Sequence, residues 1–125
     1  MIISIHHAQI TIPKGKEPEA RNFYCGVLGL KEIPKPQSLQ GRGGFWLRVG
    51  DRQVHIGVED GIERSLTKAH VAYGVSDLEC WRKTITSRGI EIFSGEPIPG
   101  YDRFEFRDPF GNRVEMIQKT VEQPR

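Results

Sequence analysis

The chain has 125 residues, 37% hydrophobic and 27% charged, with 18 basic against 16 acidic side chains for a net charge of +2. This is the composition of a soluble, single-domain globular chain; it excludes wholesale disorder, and with no Lys/Arg run it leaves no electrostatic footprint for nucleic acid. No apolar stretch approaches the roughly 20 residues that cross a bilayer, and no basic flank precedes a long apolar core, so the expected location is cytoplasmic, with no membrane partner.

In chain order, Ile2 to Ile12 reads as a strand stopped by Pro13. Glu17 to Leu28 follows as a helix with Ala20, Phe23 and Val27 at helical spacing, ended by Gly29. Leu30 to Ile33 is a short strand, KPQSLQGRGG a loop, and FWLRV and RQVHIGV two strands joined by a turn at Gly50 and Asp51. Residues 61–68 are polar and unperiodic, as a linker is. AHVAYGV then reads as a strand, and Ser76 to Glu79 as a capping box that opens a helix with the apolar stripe Leu78, Trp81 and Ile85, ended by Gly89. IEIF, DRFEFR and, past the turn DPFGN, RVEMIQ read as strands. Cys25 and Cys80 fall on the two helices without a C-x-x-C spacing, and are expected as buried thiols.

The order β-α-β-β-β therefore occurs twice, which makes the chain α+β: one domain, 1–125, of two modules, 1–60 and 69–120, joined by linker 61–68. The copies agree in register. Helix-ending Gly29 and Gly89 differ by 89 − 29 = 60, and the same offset aligns Val54 with Val114 and His55 with Glu115. His7 and His70 differ by 70 − 7 = 63, which a strand–helix loop three residues longer in the first half accounts for.

Four side chains of metal-ligand type occupy these matched places: His7 and His70 on first strands, His55 and Glu115 on last strands. Successive side chains of a strand point to opposite faces. His7 opposes Ala8, Ile10 and Ile12; His55 opposes Val54, Ile56 and Val58; His70 opposes Val71, Tyr73 and Val75; Glu115 opposes Val114 and Met116. All four thus emerge from the face that does not pack on helices, and imidazole with carboxylate suits zinc, nickel, iron(II) or manganese. The bland alternative is four hydrogen-bonded or solvated strand residues. By the same pleat His6 falls with Ala8, so at most one of the two adjacent histidines faces a given cavity, and His6 receives no role. Second-tier candidates for substrate contact are Arg113, on the face of Glu115, Tyr101 and Arg103 on alternate positions of GYDRF, and Trp46, against the bland reading of surface and core residues.

The segments SIHHAQITIP, ARNFYCGVLGLKEI, KAHVAYGVSDLE and FRDPFGNRVEMIQ resemble the vicinal oxygen chelate superfamily, which includes glyoxalase I, fosfomycin-resistance transferases, extradiol dioxygenases and bleomycin-resistance proteins. The resemblance spans almost the whole chain. It implies two βαβββ modules whose curled mixed sheet forms a metal-bearing cleft, with ligands at His7, His55, His70 and Glu115. It further implies an enzyme that chelates oxygens of a small metabolite or thiol adduct to one divalent ion per site, with Glu115 as general base or as a permanent ligand. A homodimer is the expected assembly. Where glyoxalase I carries a glutamate this chain has His55, while the His-His-Glu set of extradiol dioxygenases matches His7, His70 and Glu115, so lyase or isomerase, thiol transferase and dioxygenase chemistries stay open. The alternative function is metal-free sequestration of a small molecule, as in bleomycin-resistance proteins.

Overall fold

The computed structural model describes residues 1–120. The chain divides into two compact units, the first Met1–Glu63 and the second beginning at Arg64.

In the first unit, β1 (His7–Ile12), β2 (Lys31–Ile33), β3 (Phe45–Val49) and β4 (Arg52–Val58) form one sheet in the order β1-β4-β3-β2. β1 runs parallel to β4, and the other pairs are antiparallel. Paired residues share a face, so Ala8–Val54, Ile10–Ile56, Leu47–Val54 and Phe45–Ile56 collect the apolar side chains. Ile12, Phe45, Leu47, Val54 and Ile56 are buried, as are Ala20, Phe23, Tyr24 and Leu28 of the helical segment. Burying each large apolar side chain contributes on the order of 1.5–3 kcal/mol. Arg21 lies over the Phe45 ring at 4.6 Å, its stem closing the helix end of this core.

The second unit has β5 (His70–Gly74), β6 (Tyr101–Arg107) and β7 (Arg113–Lys119) in the order β5-β7-β6, with β5 parallel to β7 and β6 antiparallel to it. Helix α2 (Leu78–Ser87) lies against β6 and β7 on the face that carries Phe104, Phe106, Val114 and Met116, to which it adds buried Leu78 and Ile85. The turn DPFGN is built on Asp108, whose carboxylate accepts from Phe110 N, Asn112 N and Asn112 Nδ2 at 2.8–2.9 Å. Two mixed sheets with few helices make the α+β architecture expected from the sequence.

Five local expectations are corrected. The first strand begins at His7, because Met1 to Ile5 find no pairing partner and stay exposed. The first helix is α-helical only as α1 (Glu17–Arg21); Asn22–Val27 is π-helical, and Leu28 N donates to Phe23 O. The widened turn admits consecutive Phe23 and Tyr24 to the core, with Leu28, and leaves Val27 half-buried where a regular stripe would have placed it inside. The second helix is capped one residue later than the box implied: Asp77 accepts from Cys80 N at 3.1 Å. Cys80 is exposed and Cys25 half-buried, since both lie off their helices' apolar stripes. IEIF makes no strand; it is reduced to a single bridge, Phe93 with Glu105, because Gly95 and Pro97 follow and Pro97 has no N–H to extend a ladder.

One glycine fastens the loop of the first unit. Gly44 has φ +76°, and a Cβ there would collide with the carbonyl oxygen of Ile56 on β4. Gly44→Ala is expected to destabilise the unit by about 3 kcal/mol or more, through both the clash and the left-handed backbone. Urea denaturation checks this, and a midpoint equal to that of the parent would show that the approach is not required.

Candidate functional site

In the second unit the pairing of β5 with β7 and of β7 with β6 sets His70 beside Arg113, and Ala72, Glu115 and Glu105 in one row. The His70 ring leans along the strand, so its Nε2 lies 3.2 Å from Glu115 Oε1. Its Nδ1 lies 2.9 Å from the Lys68 carbonyl, which only accepts, so Nδ1 carries the proton. With Nδ1–H fixed, a neutral ring would turn the Nε2 lone pair onto a carboxylate oxygen. Two acceptors at this distance require a cation between them, either a proton on Nε2 or a metal ion held by both. The distance suits either case: bonds of about 2.0–2.1 Å to one ion place neighbouring ligand atoms about 3.0–3.4 Å apart.

Glu105 joins the group. Ligand atoms of His70, Glu105 and Glu115 all lie within 4.8 Å of one another, and both carboxylates are buried. Two guanidinium groups compensate them. Arg113 grips Glu105 in a two-pronged pair, Nε to Oε2 at 2.7 Å and Nη2 to Oε1 at 2.6 Å. Arg103 Nη1 donates to Oε1 of both Glu105 and Glu115 at 3.0 Å, while its Nε and Nη2 donate to the Glu96 carbonyl. The hydrogen bonds from Arg113 hold the Glu105 carboxyl below the usual range against the opposing effect of burial, with Arg103 adding to the shift. Glu105 therefore stays ionised at neutral pH. The alternation that selects Arg103 also places Glu105 on this face, opposite Phe104 and Phe106; sequence reasoning passed over it because the repeat gave it no matched partner.

In the first unit three parallel rings cross the polar face of the sheet. Trp46 stacks on His55 with ring centres 3.9 Å apart and planes 3° apart, and His55 stacks on His7 at 4.0 Å and 15°. The register causes this: His55 pairs with Trp46 on one side and with Gln9 on the other, one pleat from His7. His55 Nε2 donates to Gln53 Oε1 at 2.8 Å, which leaves the Nδ1 lone pair. Burial, the neighbouring His7 and His6, and Lys35 push the His55 imidazole down to about 4, so the ring is neutral and able to ligate at physiological pH. His6 precedes the strand and escapes its pleat. Its Nδ1 lies 2.9 Å from His7 Nδ1, and both rings line one cleft, which corrects the expectation that only one of the two reaches a cavity.

Residues 4–116 match the Glyoxalase/Bleomycin resistance protein/Dioxygenase superfamily. The chain belongs to this superfamily. A protein from Bacillus anthracis assigned provisionally to the glyoxalase family is 38% identical, with a TM-score of 0.89 over 96% of this chain and 98% of that one. An integron cassette protein of Vibrio cholerae has a TM-score of 0.72 at 21% identity, covering 96% and 98% of the two chains. The fosfomycin resistance protein FosX of Listeria monocytogenes, in a form complexed with Mn(II) and 1S,2S-dihydroxypropylphosphonic acid, has a TM-score of 0.74 at 17% identity, covering 98% and 94%. At these last two identities the likeness is one of fold. No curated protein matches the chain in sequence.

Within this superfamily fold, the residues singled out from the sequence fall into two sets. His7, His55 and Trp46 meet in the first unit; His70, Glu115, Arg103 and Arg113 meet in the second. Four of the five N–H groups of Arg103 are engaged by two carboxylates and a carbonyl, and one of these bonds holds Glu115. Tyr101 stands at the exposed end of the Arg103 face, paired with Lys119. No helix among the described residues is long and apolar enough to cross a membrane.

The His55 imidazole is expected to titrate at about 4 in the folded protein, against 6.5 when unperturbed. Because the folded value is depressed, the associated stability is complete above 6.5 and is lost as pH falls from 6.5 towards 4. NMR titration of the ring carbon and nitrogen resonances tests this, and an ordinary value near 6.5 would remove the proposed desolvation.

Proposed function

We propose that this chain is a divalent-metal-dependent enzyme acting on a small oxygen-bearing metabolite or thiol adduct, with His7, His55, His70 and Glu115 as metal ligands. The observation that carries this reading is the His70 ring, held through Nδ1 by the Lys68 carbonyl, with Nε2 3.2 Å from Glu115 Oε1, a spacing that one ion shared by the two would satisfy. Imidazole with carboxylate suits manganese, iron(II), nickel or zinc, and FosX has been crystallised with Mn(II). When bound, the ion supplies Lewis-acid stabilisation of negative charge developing on a substrate oxygen.

The chain's own residues do the rest. Lys68 holds the His70 ring in one tautomer, and Gln53 does the same for His55. Arg103 fixes Glu115 Oε1 and screens it from Glu105, so the two buried carboxylates coexist. Glu115 is the group proposed to take a substrate proton, as general base. Assembly as a cytoplasmic homodimer belongs to the same reading.

A second reading has its own support. Arg103 and Arg113 already compensate Glu105 and Glu115, which also suits a metal-free protein that sequesters a small ligand. Metal analysis separates the two. Protein reconstituted with manganese, iron(II), nickel or zinc is expected to retain about one ion per site, and His70→Ala to weaken retention at least about tenfold. Retention of no ion would leave the sequestration reading. In metal-loaded protein, Glu115→Gln is expected to lower turnover by about 10²–10⁴-fold, measured across glutathione hemithioacetals, catechols and epoxides.

A further inference from the structure

The polar face of the first unit's sheet is bordered by the segment between β2 and β3, which includes a 3₁₀ turn at Gln37–Arg42. Sheet and segment enclose a cleft of about 490 Å³. The sheet contributes the stacked rings of His7, His55 and Trp46 together with Gln9, and the segment contributes Lys35 and Arg42. Among the described residues that line it there is no Asp and no Glu; the Glu17 carboxylate stands outside this lining, accepting from Gly44 N at 3.4 Å. A concave surface lined by cations and imidazoles, with no carboxylate among them, concentrates positive potential and favours an anionic occupant.

One of the two cations, Lys35, is held in place before any ligand arrives, while Arg42 is exposed at the cleft rim. Lys35 is half-buried, and its Nζ donates to the Gly43 carbonyl at 2.7 Å, which fixes the side chain and leaves further N–H donors on the ammonium. Gln40 Nε2 donates to the Lys35 carbonyl at 3.2 Å, and Leu39 N to the Pro36 carbonyl at 2.9 Å, so the segment is stapled to itself. Gly44 fastens its far end against Ile56. On the floor, the Gln9 amide lies flat over Gly57: a Cβ there would stand 2.9 Å from Gln9 Nε2. Ordering long side chains on binding costs free energy, and for Lys35 that cost is already met.

We infer that this cleft is an oxyanion subsite that receives the carboxylate, phosphonate or phosphate group of a small substrate. Lys35 and Arg42 supply the opposing charge, Gln9 supplies a neutral donor, and the organic part rests on the Trp46 ring and Leu39. The inference deepens the proposed function by naming the substrate class, small organic anions, and it rests on that reading only for what happens at the substrate's reacting end.

The probe is phenylphosphonate, with benzyl alcohol as its uncharged counterpart, titrated into chelator-treated full-length protein and followed by calorimetry and by the NMR signals of the Trp46 indole and Gln9 amide. Phenylphosphonate is expected to bind and to shift both signals, while benzyl alcohol does neither. Lys35→Gln and Arg42→Gln are each expected to weaken binding about tenfold, and Lys35→Arg, which keeps the charge, to restore most of it. Equal binding of the alcohol, unchanged affinity in both Gln variants, or shifts confined to the Arg103 and Arg113 face would overturn the subsite. Because no metal is needed for these measurements, the two readings fail separately. Anion binding in a chain that never retains an ion sinks only the metalloenzyme; metal retention without anion binding sinks only the subsite.

Discussion

Each unit joins its first strand to its last in parallel, β1 to β4 and β5 to β7, and both sets of candidate residues depend on that pairing. Parallel neighbours cannot be linked by a tight turn, so everything between them in sequence must be accommodated elsewhere: the helix on one face, the remaining strands on the far edge. What the detour secures is proximity between residues some 45 positions apart, His7 with His55 and His70 with Glu115. Because paired residues share a face, the pleat then sorts polar from apolar without further instruction, leaving one surface for packing and the other for the polar candidate residues.

On that second surface the two units solve different electrostatic problems. The first holds imidazoles against an indole, where burial and nearby positive charge keep His55 neutral. The second holds two buried carboxylates directly opposite each other, an arrangement unstable without Arg103 between them. A buried ionic network of this kind adds little net stability over a well-packed apolar one, but removing a single member leaves an uncompensated charge. The network is therefore better understood as fixing the direction of Glu115 than as strengthening the fold.

Facing was the most legible property of the sequence, because it follows from a strict period of two. The positions of His7, His55, His70 and Glu115 relative to their apolar neighbours could be read from β1, β4, β5 and β7 alone. What escaped depends on cross-strand neighbours or on small changes of backbone winding. Glu105 gains its importance from being paired with Glu115, a relation between strands that a single strand does not display. His6 reaches the cleft because the strand starts one residue after it. The π-helical turn at Asn22–Val27 reflects two adjacent aromatics that both enter the core, which a 3.6-residue stripe does not accommodate. IEIF has the alternation of a strand, yet Gly95 and Pro97 beyond it deny it a ladder.

The way Gly44 meets Ile56 has a consequence for how such a protein diversifies. Residues 34–42 make no ladder hydrogen bonds and are moored to the sheet at their C-terminal end by one glycine's close approach. Insertions, deletions and substitutions upstream of that mooring leave the register of β3 and β4 untouched, and with it the alignment of Trp46, His55 and His7. On the proposed reading, the subsite cations Lys35 and Arg42 and the candidate metal ligands are thereby carried on separately mutable pieces of the chain, so selection can retune one while the other is held constant.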